Sequence, residues 1–278
     1  MNKVKWREVI WFVILAYALT WLYWLTAIIP HYHQLLIDPK GIQSAHPYFN
    51  IPVGEGMGMF GPMLAAIAMR LWVSKEGFKG SLGLKRPVKY YLLAFFIPPL
   101  FVLSVIFINH VTGAGRFIWA SSNKFSVLQS ILLTAPLGIV LLPLGFGEEY
   151  GWRGYLLPRL MPLGELKATL IMGAIWGLWH LPVLILRERP LALSIPLFLI
   201  SAMLLSFPFT WLFRACAASV AVTTVFHTCI DIWGDSYTGV ATYPGQNQML
   251  VNCGGVVGVA VVFTAVMLAY LVFKRPIK

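Results

Sequence analysis

The stretch GEEYGWR, Gly147 to Arg153, sets two adjacent carboxylates and an arginine at the end of a long apolar run. His180, His227 and Asp231 follow in two later apolar runs. Carboxylates and imidazoles exchange protons near neutral pH, so together they form a candidate acid–base set. The spacings divide the work. Glu149 and Arg153 stand four residues apart and can pair along one helix face. Glu148 points about 100° away, so one carboxylate can be neutralised while the other stays available. Trp176 with His180, and His227 with Asp231, are again four residues apart, which gives each helix one functional face. A carboxylate in apolar surroundings holds a proton more readily, which suits a general base. One histidine could hold or polarise a water and the other could stabilise a developing oxyanion. The parts suit attack by water on a peptide carbonyl.

The elements that position these groups are expected to be membrane helices. Eight apolar spans are read, at about 9–29, 51–73, 90–110, 137–160, 167–186, 191–213, 216–233 and 249–273. A short amphipathic lead-in at 126–136 should be broken by Pro136. Glu148 and Glu149 lie near the middle of the fourth span, His180 well into the fifth and His227 well into the seventh. At a rise of about 1.5 Å per residue, all fall some 15–20 Å from where their spans begin. Three helices therefore bring ionisable groups to similar depth. A central Asp or Arg opposes insertion by roughly 2.5–3.5 kcal/mol, whereas each Leu contributes only about 0.3–0.6 kcal/mol. Two Glu and one Arg in one span offset most of its apolar gain unless they face a polar cavity.

Composition supports the membrane reading. Hydrophobic residues make up 59% of the 278 and charged ones 11%, far from the roughly 25% charged of ordinary soluble domains. Only helices or closed barrels satisfy their backbone in hydrocarbon, and spans of about 20 residues favour helices. The fold class is all-α, a polytopic membrane protein of about eight helices around a central polar cavity. Residues 1–278 form one transmembrane domain with the motifs at about 137–233. The net charge of +11 does not point to nucleic acid, because the basic residues sit in the joints between spans. With the N-terminus inside, 16 of the 21 Lys and Arg fall on the cytoplasmic side, which places both termini there. The five others are Lys40, Arg116, Lys124, Arg187 and Arg189. Cys216, Cys229 and Cys253 are too scattered for a disulfide framework or a zinc-type cysteine cluster. The run from Val9 is longer than a signal-peptide core and is expected to be a retained first helix. Gly54 and Gly58 have the spacing that lets helices approach closely, and Glu55 is expected near the outer interface.

GEEYGWR fits an EExxxR motif, WGLWH an F/WxxxH motif and HTCID an HxxxN/D motif, each on its own helix. In this order they resemble the type II CAAX prenyl endopeptidase and bacteriocin-processing family, also called the abortive infection family, over roughly Leu137 to Trp233. FGPMLAA near Phe60 is a weaker feature of the same kind. The resemblance implies an eight-helix intramembrane protease with a cavity open to the cytoplasm. It implies that Glu148 and His180 activate the water, that His227 and Asp231 line the oxyanion side, and that Glu149 and Arg153 support them. The sequence departs at Trp176, where Phe is commoner, and at Asp231, where Asn is commoner. A carboxylate donates to an oxyanion only when protonated, so Asp231 could instead orient His227 or bind a cation.

The expectation is an integral protein of the cell (inner or plasma) membrane, in contact with lipid, acting without a cofactor on a protein or peptide, with a C-terminally lipidated one among the candidates. Three alternatives stay open. Glu148, His180, His227 and Asp231 also make a plausible zinc set for a metallopeptidase, although no HExxH occurs. A non-catalytic immunity or scaffold protein has little reason to bury charge. A transporter fits buried charge but not the order of the three motifs.

Overall fold

The computed structural model describes residues 3–30, 56–83, 86–118, 127–187, 191–237, 243 and 245–273. These are overwhelmingly helical, with no strand among them. The helices are α1 (Trp6–Ile28), α2 (Met57–Val73), α3 (Val88–Thr112), α4 (Val127–Gly151, continuing by a π segment Trp152–Leu156 and short turns to Leu163), α5 (Glu165–Trp179), α6 (Leu181–Arg187), α7 (Leu191–Ala215), α8 (Val220–Tyr237), α9 (Gln248–Val251) and α10 (Val256–Phe273). Five stretches are long and apolar enough to cross a membrane: Trp6–Ile28, Val88–Thr112, Leu132–Leu163, Leu191–Ala215 and Gln248–Ala269. The chain is an all-α polytopic membrane protein. The other three expected spans hold shorter helices: α2, α8, and a pair, α5 and α6, that breaks at His180. Gly54 and Glu55, with Lys40, Lys124 and Arg189, lie outside the described residues.

The expected break at Pro136 does not occur, because α4 runs unbroken through Pro136 and Pro143. In hydrocarbon the backbone has no water to turn to, so a helix carries a proline rather than unravel at it. α5 does end one residue before His180. Pro182 lacks an N–H and its ring presses on the carbonyl four residues back, at Leu178.

Polarity runs from inside to outside. Leu100, Phe107, Ile139, Val140 and Leu271 are exposed, whereas Glu148, Glu149, Arg153 and His227 are buried. α4 sits in the middle of the bundle, against α2 on one side and α8 on another, while α5 packs on α7 and α8 on α3. Glycine permits these approaches. A Cβ at Gly151 would lie 2.4 Å from Pro62 Cβ, and one at Gly173 would lie 2.7 Å from Met203 Cα. α1 clasps the end of α5 through two carbonyl groups. Tyr17 Oη donates to Ile175 O at 2.5 Å and Trp21 Nε1 donates to Trp179 O at 2.8 Å. These bonds fix the last turn before His180.

Several basic joint residues do more than face water. Arg159 donates to Glu8 of α1 at 2.8 Å and to Glu76 at 2.9 Å, and Arg70 pairs with Glu76 at 2.5 Å. Arg70 also donates to Gly154 O at 2.9 Å. The ion network ties α1, α2 and α4 at one end of the bundle. Arg214, at the end of α7, pairs with Glu165, at the start of α5, at the same end. The three cysteines are free.

Candidate active site

The two glutamates of α4 face different neighbours, as consecutive helical positions must. Glu149 turns to α8. Its Oε1 accepts from Arg153 Nη1 at 2.5 Å and lies 2.7 Å from His227 Nδ1. All three side chains are at most 3% exposed. The Arg153 guanidinium lies 3.9 Å from the Phe209 ring centroid and 4.8 Å from that of Trp176. Two aromatic faces thus share the solvation of a cation removed from water. Glu149 Oε2, Arg153 Nε and Arg153 Nη2 have no hydrogen-bond partner among the described residues.

Glu148 turns to α5. Its Oε2 accepts from Trp176 Nε1 at 2.6 Å and from Trp152 Nε1 at 3.2 Å. The sequence leaves Glu148 available, and the structure gives it two indole donors. Trp176 is the hub of the cluster. Besides donating to Glu148 it lies 5.7 Å, ring to ring, from both His180 and His227.

The break after α5 sets the His180 ring. His180 N donates to Gly177 O at 3.2 Å, one residue short of α-helical register. The Trp176 carbonyl, four residues back, is 2.9 Å from His180 Nδ1. A carbonyl can only accept, so Nδ1 carries a proton, and in the neutral ring Nε2 is the acceptor nitrogen. Trp179, at 4.7 Å, and Phe198, at 5.1 Å, pack the ring on its other sides. A small pocket lined by Leu184, Phe198, Met249 and Asn252 continues beyond Phe198.

His227 bridges two carboxylates, because its Nε2 lies 3.4 Å from Asp231 Oδ2 while Nδ1 meets Glu149. Asp231 is 46% exposed and His227 only 3%. Exposure also rises from buried Trp176 to half-buried His180. The cluster therefore opens toward the end where α5 and α8 finish. That end is opposite the Arg70, Arg159 and Arg214 cluster, the side for which the basic-residue count sets a cytoplasmic expectation. The cytoplasmic opening implied by the resemblance does not follow from this geometry.

The structure thus joins Glu148 with Trp176 and His180, and Glu149 with Arg153, His227 and Asp231. The motifs miss Trp152 and Phe209. Trp152 could have been found four residues after Glu148, on the same face, as an aromatic with an N–H donor. Phe209 has no signal in the sequence, since only packing lays it under Arg153. Zinc meets a poor fit. Among the described residues no three His, Cys, Asp or Glu side chains are grouped as ligands of one metal ion.

Fold and site together define a membrane protein with a buried carboxylate–imidazole cluster on three helices. Residues 126–233, the segment with all three motifs, match the family model of the type II CAAX prenyl endopeptidase Rce1-like proteins. The matched family is one of endopeptidases, which implies a peptide hydrolase with a peptide substrate. No curated protein shows significant similarity to the chain.

Proposed function

We propose that the chain is an intramembrane endopeptidase in which Glu148 and His180 activate a water for attack on a peptide carbonyl. The observation that carries this reading is the coupling through Trp176: its N–H holds Glu148 at 2.6 Å while its carbonyl fixes His180 Nδ1 at 2.9 Å. A carboxylate and an imidazole with a defined acceptor nitrogen then share one mount.

In this reading Glu148 takes a proton from the water as its oxygen adds to the carbonyl carbon. His180 Nε2 accepts a hydrogen bond from the same water and aims its lone pair. The carbonyl π electrons move to oxygen, and the oxyanion is met on the side of His227 and Asp231. On collapse the C–N bond breaks and Glu148 returns its proton to the departing amine. Glu149 and Arg153 hold His227 without touching the reacting atoms. The reading needs no metal or other cofactor.

The substrate is a peptide reached from within lipid, and a C-terminal lipid on it would suit the surroundings. The protein resides in the cell membrane with both termini in the cytoplasm. Turnover of a peptide panel with and without C-terminal prenyl groups, by protein in lipid vesicles, tests the function. Cleavage lost in Glu148→Gln and unaffected by chelator is expected. Equal cleavage by wild type and Glu148→Gln would reject it. In a Cys253→Ser background, a Lys79→Cys variant should react with an impermeant maleimide only in inside-out vesicles.

A further inference from the structure

We propose that Trp152, at a position the EExxxR motif leaves unspecified, is a positioning residue for Glu148. With Trp176 it holds Oε2 between two indole N–H donors, so that Oε1 is the oxygen turned to the reacting water. This rests on the endopeptidase reading above.

Both indole hydrogen bonds to Glu148, at 3.2 Å from Trp152 and 2.6 Å from Trp176, end on the same oxygen. They come from two helices, α4 and α5, and so fix the carboxylate plane from two directions. An indole N–H donates only, so Trp152 can neither take nor return a proton and acts through Glu148 alone. Hydrogen bonds to an ionised acceptor are about twice as strong as neutral ones. The contrast with Glu149 is informative. Glu149 is held by the Arg153 cation at 2.5 Å, whereas these two donors to Glu148 are neutral. Neutral donors orient a carboxylate while weakening it as a base less than a contacting cation does.

The mount of Trp152 is rigid. The side chain is fully buried, and its ring packs edge-on against Phe12 at 5.7 Å and Trp179 at 5.8 Å. Trp152 is also the first residue of the π segment Trp152–Leu156. Single π turns inside α-helices recur at functional sites, where they shift side chains off the regular register. Here the change of register begins at the residue that reaches back to Glu148. A space-filling role alone would be met by any large aromatic, so the N–H is the feature to test.

Trp152→Phe keeps most of the ring and removes the donor. In vesicles it should lower kcat about tenfold to a hundredfold, the scale of a misaligned reacting group, with KM near wild type and a melting temperature lowered only by the cavity the smaller ring leaves. The second arm does not depend on activity. In 15N-labelled protein the indole N–H resonances of Trp152 and Trp176, identified by their loss in the single Phe variants, should move upfield in Glu148→Gln. Unchanged kcat in Trp152→Phe, or a Trp152 resonance that Glu148→Gln leaves in place, overturns the proposal. If Trp152→Phe fails to fold, the resonance shift in Glu148→Gln decides, with Trp152→His supplying the assignment. Undiminished turnover in Glu148→Gln would instead remove the endopeptidase assignment, while the resonance arm still reports whether Trp152 holds the carboxylate.

Discussion

Glu149 Oε1 and His227 Nδ1, on helices α4 and α8, are 2.7 Å apart, and the same oxygen receives Arg153 Nη1 at 2.5 Å. The second motif glutamate therefore joins the first motif to the third. Its burial makes the triad dependent on every member, because removing one leaves an uncompensated polar group away from water.

Glu149→Gln and Arg153→Ala should each destabilise the protein by about 3–5 kcal/mol, the scale for stranding one partner of a buried ion pair. Thermal unfolding in detergent checks this, and activity should fall in parallel. Melting temperatures equal to wild type in both variants would show that the pair carries no stability.

Glu148→Ala and His180→Ala should abolish peptide cleavage while leaving expression and melting close to wild type. Glu148 receives neutral donors, and His180 lies at a helix break, half-buried. Their loss disturbs the fold less than loss of the triad. Wild-type turnover by either variant would remove it from the water-activating role.

Asp231→Asn separates three roles for Asp231. Nδ1 of His227 is committed to Glu149, so a neutral ring offers Asp231 only a lone pair at Nε2, 3.4 Å away. A protonated Asp has a single proton to give, to that lone pair or to the oxyanion, and loses it as pH rises, whereas the Asn amide offers two N–H donors at every pH. The variant should therefore keep most activity and extend it to higher pH. A modest fall with no gain at high pH would assign Asp231 as an ionised acceptor. A collapse reversed by zinc would make it a metal ligand. A pH–rate profile with and without chelator reads all three outcomes.

Gly151→Ala should destabilise by about 1–3 kcal/mol, as overpacking does. The added Cβ would sit 2.4 Å from Pro62 Cβ and 2.6 Å from its backbone carbon. Gly234→Ala is the control, since nothing described lies within 4 Å of its Cβ position. A melting temperature for Gly151→Ala as high as that of the control would show that α2 can retreat from α4 without loss.

The sequence by itself determined the class of fold and the chemical types at the site. Apolar spans and basic joints are properties of composition along the chain, and lipid enforces helices on them whatever the tertiary contacts. Pairs four residues apart, such as Glu149 with Arg153 or His227 with Asp231, are likewise local, because one helix fixes both members. Span lengths were less legible. The seventh stretch is a helix set about four residues later than expected, the fifth divides at His180, and α4 passes through Pro136 where a break was expected. Only tertiary structure decided which partner each glutamate takes from another helix, Trp176 for Glu148 and His227 for Glu149. Glu148 and Glu149 are chemically identical neighbours. Their difference arises because one faces the indoles of Trp152 and Trp176 and the other the cation of Arg153 and the ring of His227. Trp152 and Arg153 each stand four residues from their glutamate, whereas the contacts to Trp176 and His227 join residues far apart in the chain. They depend on how closely glycine faces let α2, α4, α5 and α7 approach, which the periodicity of a single helix does not encode.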